Sequence, residues 1–376
     1  MCRVESLSKQ PINIQKLDIL KPNTLFQRLA QPARRTSLIN NYRRSLKRPL
    51  PVPFFHAPYV TPNLFGKKMI EISNLTKHAG STTVLSDLSF SAHQPECLGL
   101  FGQDPMAKTT LFNAIAGSTQ PSSGYISIQG FDTQTHALKA RRLVGYQLSG
   151  DLAHPTMSVK TFLGFIAAVR GFHGAEKRAR LEKAVARLDL FQVLNAPLDA
   201  LSIGWKRKVA IAQAVLHDPA VLLLDEPTEG LAPDQKHTFR ALIQSLTQEM
   251  TVIIASRHCD ELSELCTRAL VIASGRLVTD TPLPELQRDS RHFQAVTLAA
   301  DTPLDLLALA VLPGVAGIEE HRHAPGTVTV LAMPGHTIYP HINMLIASRR
   351  WKINSLSLEP GRLNDVVHHL SQEAPL

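Results

Sequence analysis

The chain has 376 residues, of which 44% are hydrophobic, and a formal net charge of +9. This length allows two domains and a sizeable core. The sequence contains no run of about 18 apolar residues, which excludes a membrane-spanning helix. The four cysteines show no paired spacing typical of a metal site, and their unpaired use fits a reducing compartment rather than a disulfide framework.

Residues 1–68 carry the basic character of the chain. They hold 13 Lys and Arg against 2 Asp and Glu, so the remaining residues have a net charge of −2. This segment is Pro-rich without sustained periodicity, which predicts a disordered arm. Three interpretations remain open: a basic tail that touches anionic lipid or nucleic acid, a linker, or upstream sequence translated from a misplaced start before Met69. The arm lacks the apolar core and cleavage site of a secretory signal.

A strand, a glycine turn and a helix are predicted in succession over residues 97–117. The apolar run CLGLF suits a buried strand, and KTTLFNAIAG has helical spacing with Gly117 as its stop. The turn between them nearly matches the phosphate-binding pattern G-x-x-x-x-G-K-[ST]. Backbone N–H groups and the helix dipole would favour phosphates there, while Lys108 would contact the β- and γ-phosphates and Thr109 would bind Mg²⁺. The predicted nucleotide-binding residues are Gly102, Gln103, Asp104, Pro105, Met106, Ala107, Lys108, Thr109 and Thr110.

Three residues of this loop are expected to lower its affinity for a nucleotide. Pro105 lacks an N–H donor, Ala107 is expected to be strained where the pattern has glycine, and Asp104 adds a negative charge. The lost donor and the strain would lower nucleotide affinity about ten- to a thousand-fold. The alternative is a strand-to-helix turn that has lost its ligand.

Two strands and two helices are predicted between Gly124 and Asp199. The strands are YISIQG and RRLVGYQ, and the helices are Val159–Gly171 and Glu176–Leu194.

The segment VLLLDEP, residues 221–227, predicts a buried parallel strand that ends in two carboxylates. Such a strand end would lie beside the phosphate loop, at the ligand edge of an open α/β sheet. Asp225 is therefore the candidate Mg²⁺ partner, through water, and Glu226 the candidate general base. The alternative is an ordinary acidic turn after a strand.

With these motifs in this order, the segment from Met69 to Arg288 resembles the ATPase subunit of an ATP-binding cassette (ABC) transporter. The resemblance implies an α/β P-loop NTPase cassette over residues 69–291. Its helical subdomain, at about residues 134–204, would have a groove that receives the coupling helix of a membrane partner. Because MIEISNL at Met69 stands where the first strand of the family would begin, the misplaced start is the favoured interpretation of the arm.

Further roles follow from the same resemblance. LSIGW matches the family signature LSGGQ at Leu201, Ser202 and Gly204. Ser202 and Gly204 would contact the γ-phosphate of ATP held by the opposite subunit, and Lys206–Leu216 would form the helix that follows. ASRH, after the predicted strand TVIIA, aligns with the switch-histidine loop, so His258 would be the switch residue.

Three other positions depart from the family pattern. Ala79 stands where an aromatic residue would stack on adenine, and Ala232 replaces an aspartate that communicates across the dimer. Ser149 stands where a glutamine would sense Mg²⁺ and water, with Gln147 two residues early. The hydrolysis residues thus persist while recognition and coupling positions are altered, which puts turnover in doubt.

A boundary near residue 292 separates the cassette from a predicted accessory domain, residues 292–376. The predicted order there is βαββαβ followed by a helix, which suggests a small ferredoxin-like α+β domain. The elements are strand His292–Ala299, helix Leu304–Val311, strands Val315–His321 and Thr327–Ala332, helix Pro340–Ser348, strand Lys352–Ser357 and helix Leu363–Leu370. Exporter ATPases of the ABC-2 type often end in a similar appendage. The histidines expected at its surface are His321, His323, His368 and His369.

The leading hypothesis is the ATP-binding subunit of an ABC-2-type exporter at the cytoplasmic face of a bacterial inner membrane. ATP and Mg²⁺ would close a homo- or hetero-dimer, and closure would move a separate membrane permease. The alternative is a degenerate, non-hydrolysing partner that lends Ser202 and Gly204 to a second ATPase. Work on nucleic acid is disfavoured, since neither the tandem cassettes of translation factors nor the coiled-coil insert of repair proteins is present.

Overall fold

The computed structural model describes residues 68–148, 150, 156–321 and 324–373. Except for Lys68, the predicted arm lies outside this range, and so does Ser149. No helix in these ranges is both long and apolar enough to cross a lipid bilayer.

The strands belong to three sheets, with the orders β2-β1-β4-β5, β10-β9-β3-β8-β7-β6 and β12-β13-β11-β14. They are β1 (Ile70–Ala79), β2 (Thr82–Ala92), β3 (Cys97–Phe101), β4 (Ser123–Ile128), β5 (Phe131–Asp132), β6 (Val144–Gln147), β7 (Val221–Asp225), β8 (Thr251–Ala255), β9 (Arg268–Ala273), β10 (Arg276–Pro282), β11 (Val296–Ala300), β12 (Val315–Glu320), β13 (Thr327–Ala332) and β14 (Ile353–Leu358).

The helices pack around these sheets. They are α1 (Pro105–Ile115), α2 (Ala137–Arg142), α3 (Val159–Val169), α4 (Gly174–Arg187), α5 (Ile203–Val215), α6 (Pro233–Leu246), α7 (Cys259–Ser263), α8 (Leu283–Arg288), α9 (Leu306–Ala310), α10 (Tyr339–Arg349) and α11 (Leu363–Glu373).

The six-stranded sheet forms the centre of the cassette. Strands β9, β3, β8, β7 and β6 are parallel, and β10 joins antiparallel at the edge. Every residue of β3, β7 and β8 is buried, because helices or a second sheet cover both faces. One face packs with α1 and the β1–β2–β4 sheet, and the other with α3, α5 and α6. The predicted α/β cassette is confirmed.

Three helices begin or end at residues other than those predicted from the apolar spacing of the sequence. Helix α1 begins at Pro105 rather than Lys108 because the Asp104 carboxylate caps its first turn. Helix α5 begins at Ile203 rather than Lys206, with Ser202 at its N-cap position. Helix α4 ends at Arg187, short of Leu194, since Asp189 takes a φ of 51° and a 3₁₀ turn follows.

The C-terminal elements follow the predicted βαββαβ order. Neighbouring strands in their sheet are all antiparallel, an arrangement typical of a ferredoxin-like unit, and the sheet encloses its own apolar cluster. The first strand begins at Val296 instead of His292, because residues 292–295 form a turn in which the Ala295 N–H donates to the His292 carbonyl at 3.1 Å. The boundary near residue 292 stays a prediction.

His292 joins this sheet to the last helix. It is buried, and its Nδ1 lies 2.6 Å from an Asp365 carboxylate oxygen while its Nε2 lies 2.9 Å from one of Glu319. Helix α11, which carries Asp365, buries Leu363, Val366 and Val367 in the cassette core. The C-terminal helix therefore packs on the cassette.

The four histidines expected at the surface differ in environment. His368 and His369 are exposed. His321 is half-buried, and its Nε2 lies 2.8 Å from Thr329 Oγ1. His323 lies outside the described residues.

Candidate nucleotide site

Three neighbouring parallel strands end at the same edge of the central sheet. Strand β3 leads into Gly102, β7 ends at Asp225 and is followed by Glu226, and β8 leads into Ser256. The carboxyl ends of parallel strands are where open α/β sheets bind ligands. The loops after these strands therefore form the candidate site.

The turn after β3 requires glycine at its first position. Gly102 has a φ of 149°, and a Cβ placed there would lie 2.4 Å from the Ile272 carbonyl oxygen. That approach is closer than a real Cβ tolerates, so the loop turns beside β9 only with glycine.

The N-terminus of α1 is already capped by a carboxylate. Asp104 Oδ1 accepts a hydrogen bond from the Met106 N–H at 2.8 Å, and Pro105 occupies the first turn without an N–H of its own. Because a helix N-terminus attracts anions, Asp104 occupies part of the electrostatic role that a phosphate would take. This cap supports the expectation that the loop is altered.

The expected strain at Ala107 is wrong. Ala107 lies in the first turn of α1, is not among the residues with positive φ, and is completely buried in the apolar cluster that contains Leu111 and Phe112. Its methyl group points into the core because the helix starts two residues before it. Of the three features expected to weaken nucleotide binding, the missing N–H of Pro105 and the charge of Asp104 remain.

Lys108 lies beside the two carboxylates, as its proposed role requires. Its side chain is buried, and Nζ donates to the Ser256 carbonyl oxygen at 3.1 Å. Burial lowers the pKa of Lys108, while the negative charges of Glu226 and Asp225 oppose that shift. The lysine of the phosphate loop and the acidic pair from β7 thus meet on one side of the fold.

Asp225 and Glu226 occupy different environments. Burial and then the charge of Glu226 raise the pKa of Asp225, with Lys108 opposing. Glu226 has a φ of 47°, Oε2 accepts from Ser256 Oγ at 3.2 Å, and Oε1 lies 3.5 Å from Arg257 Nε. Backbone strain of this kind is common at functional sites.

These side chains fit a nucleotide-bound Mg²⁺ ion better than a dedicated metal cage. Thr109, half-buried on α1, could supply a hydroxyl and Asp225 a carboxylate, with phosphates completing the shell. Within the described part of the chain, no three His, Cys, Asp or Glu side chains cluster closely enough to hold a metal alone.

A second cation beside Glu226, in addition to Lys108, is Arg257, which the sequence analysis did not single out. Its guanidinium pairs with both Glu226 and Glu229. His258, the predicted switch residue, is exposed, and its backbone N–H donates to Ser256 Oγ at 3.1 Å. The available signal was the arginine that precedes His258 in ASRH, two residues after the end of a buried strand.

The predicted signature residues lie in a separate surface pocket of about 230 Å³. Ser202 and Gly204 line it together with Trp205, Lys208 and Gln235. The structure therefore does not bring Ser202 and Gly204 to the phosphate loop of the same chain, and their predicted role toward an opposite subunit is not tested by a single chain.

The other positions that depart from the family pattern differ in environment. Gln147 is buried, and its Nε2 donates to the Asp225 carbonyl oxygen at 3.3 Å, so this glutamine reaches the end of β7 despite its early position. Ala79 is exposed at the end of β1, and Ala232 is exposed directly before α6.

Comparisons with known proteins agree with this geometry. A family model described as ABC transporter matches residues 85–229. The chain is 32% identical over 207 residues to the ABC transporter ATP-binding protein NatA of Bacillus subtilis, covering 54% of this chain and 84% of that protein. It is 30% identical over 266 residues to the Nod factor export ATP-binding protein I of Ralstonia nicotianae, covering 70% and 81%.

A solved structure shows the same fold. The cassette matches cbiO1 of Clostridium perfringens, part of the ABC transporter complex cbiONQ, with a TM-score of 0.54 and 26% identity over 59% of this chain and 92% of that one. Together with the lysine loop and the acidic strand end, these matches show that the chain belongs to the family of ABC transporter ATP-binding proteins, whose members bind ATP with Mg²⁺.

Proposed function

We propose that this chain is the ATP-binding subunit of an ABC-2-type export complex. Nucleotide-driven closure of a homo- or hetero-dimer would be coupled to a separate membrane permease at the cytoplasmic face of the membrane. The observation that carries the proposal is the meeting of Lys108, Asp225 and Glu226 at one sheet edge. Relatives named for Nod factor export support the direction of transport.

Each side chain has a role toward the nucleotide. Bound Mg-ATP supplies a γ-phosphoryl group with a good leaving group. Lys108 neutralises phosphate charge, Thr109 and Asp225 hold the metal, and Glu226 accepts the proton of the attacking water. Ser202, from the signature loop, contacts the γ-phosphate of ATP bound by the opposite subunit, and this contact couples the nucleotide state to dimer closure.

The helical subdomain offers a surface for the permease. A groove of about 500 Å³ lies on α3 and α4, and its lining includes Lys160, Phe165, Lys177 and Leu181. An apolar floor with flanking lysines suits an amphipathic helix that carries acidic residues.

The decisive test uses the full chain. Calorimetry measures Mg-ATP affinity, and phosphate release measures turnover beside Glu226→Gln and Lys108→Ala. We expect Glu226→Gln to abolish turnover while keeping affinity, and Lys108→Ala to lose affinity. Absence of Mg-ATP binding at millimolar concentration, alone and with a cognate second ATPase, would end the proposal.

A second candidate is a non-hydrolysing partner of another ATPase. The carboxylate cap at Asp104 and the ion pair between Arg257 and Glu226 favour it, since both occupy charges that a hydrolysing site uses. Tight binding to a second ATPase, without turnover of its own, would support this candidate over the first.

A further inference from the structure

Three charged side chains form one network beside the phosphate loop. Arg257 Nε lies 3.5 Å from Glu226 Oε1, and another nitrogen of the same guanidinium pairs with Glu229. The Glu229 N–H donates to the Glu226 carbonyl oxygen at 3.3 Å, so one tight turn brings both carboxylates to the same arginine. A planar guanidinium suits this arrangement, because its fork can serve two acceptors at once.

Both carboxylate oxygens of Glu226 are engaged by the loop after β8. Ser256 Oγ donates to Oε2 at 3.2 Å while Arg257 faces Oε1, and Glu226 itself is buried. Its backbone is also fixed, because its N–H donates to the Ala255 carbonyl oxygen at 2.9 Å. A restrained carboxylate cannot swing freely toward a water molecule in the site.

This restraint opposes the proton transfer that hydrolysis needs. In that reaction a bond forms between the water oxygen and the γ-phosphorus, the bond to the β-phosphate oxygen breaks, and the water proton moves to Glu226. Protonating Glu226 discharges its half of the ion pair with Arg257. Since an arginine side chain keeps its charge at every physiological pH, the network does not relax by losing a proton.

We propose that Arg257 is a positioning residue that restrains Glu226 and slows hydrolysis at this chain's own nucleotide site. The inference rests on the proposed function, because it assigns Glu226 the role of general base. Glu229 anchors Arg257 in the restraining position. The consequence is a site that holds Mg-ATP for longer before turnover.

The test compares Arg257→Gln and Glu229→Gln with the wild-type full chain. We expect Arg257→Gln to raise kcat for phosphate release about tenfold, with KM changed by less than threefold, since one charge-assisted contact to the base is lost. Glu229→Gln, which frees Arg257 from its anchor, should give a smaller rise. Arg240→Gln is the matched control, because Arg240 on α6 pairs with Glu264, the residue after α7, and the kcat of this variant should stay unchanged.

A second measurement tests, without nucleotide, whether Arg257 restricts the accessibility of the Glu226 carboxyl group. Carbodiimide labelling of the Glu226 carboxyl group, followed by peptide mass spectrometry, should increase at least threefold in Arg257→Gln and remain unchanged in Arg240→Gln. A fall in kcat for Arg257→Gln at unchanged KM would make Arg257 a catalytic contact and overturn the inference. Unchanged kcat and unchanged labelling would overturn it as well.

The outcome also separates this inference from the proposed function. If neither wild type nor variants bind Mg-ATP in calorimetry, the proposed function fails while the labelling still judges the restraint. If all of them bind Mg-ATP and Arg257→Gln is no faster than wild type, the inference alone fails.

Discussion

Replacing Pro105 by glycine should restore affinity for Mg-ATP. Pro105 occupies the first turn of α1, where every other residue type would offer an N–H to a phosphate. The missing N–H of Pro105 is a feature of the observed helix start, whereas the backbone strain expected at Ala107 is absent. Pro105→Gly therefore isolates the effect of one missing donor.

The expected gain follows from the value of one hydrogen bond to a charged group. Such a bond is worth about 1.5–3 kcal/mol, which corresponds to roughly ten- to a hundred-fold in dissociation constant. Asp104 keeps its hold on the Met106 N–H, so the gain should lie near tenfold. The glycine should cost about 0.4–1 kcal/mol of folding stability, because it loosens the unfolded chain.

Ala107→Gly is the matched control for this experiment. It should lose about 2 kcal/mol of stability, because a helix former and a buried methyl group are removed, without any gain in affinity. Calorimetric titration with Mg-ATP measures affinity, and urea unfolding measures stability. Tighter binding by Ala107→Gly than by Pro105→Gly would refute the assignment of the lesion to Pro105.

Two further predictions concern stability. Burial lowers the pKa of His217 to about 4, below its ordinary 6.5, so the unfolded state binds protons first and stability falls as the pH drops below about 6.5. Urea unfolding should show a loss of about 2 kcal/mol from pH 7 to pH 5 that His217→Gln largely removes, and equal losses in both proteins would contradict this. Replacing His292 by alanine should cost about 2–3 kcal/mol, because it leaves the carboxylates of Glu319 and Asp365 without their shared partner. An unfolding free energy within 0.5 kcal/mol of wild type, as is common for surface substitutions, would show that this link carries no stability.

The strands that build the site were predictable because both of their faces are buried. Such burial produces continuous apolar runs. The predicted bounds of β3 and β8 match the structure, whereas β7 ends at Asp225, one residue before the second predicted carboxylate, Glu226. The residues that follow each run then lie at the ligand edge by topology alone, which placed Lys108 near Asp225 and Glu226.

The orientation of side chains beyond those runs was not predictable in the same way. In ASRH, two neighbouring residues could face the site, and only the backbone path after β8 brings Arg257 to Glu226. At Ala107 the pattern indicated a glycine position, but the earlier start of α1 turns the methyl group into the core. Helix α11 was predicted at Leu363–Leu370, yet nothing in the sequence showed that its apolar residues would be buried in the cassette core.

The phosphate loop and the signature pocket of this chain differ in how far their functional groups are already engaged by other residues. At its own loop, Asp104 caps the N-terminus of α1 and Arg257 pairs with Glu226, so internal charges already engage both groups that are proposed to act on a nucleotide. At the signature pocket, the Ser202 hydroxyl caps no backbone N–H of α5 within the described part of the chain and stays exposed. In such a chain, the altered phosphate loop limits hydrolysis at its own site, while the exposed signature residues stay available to ATP bound by a partner. The complex would therefore hydrolyse ATP fastest when the phosphate loop of the partner is unaltered. In a dimer of two different ATPases, this asymmetry predicts that Ser202→Ala here reduces turnover more than Glu226→Gln here does, whereas a homodimer would lose turnover through either change.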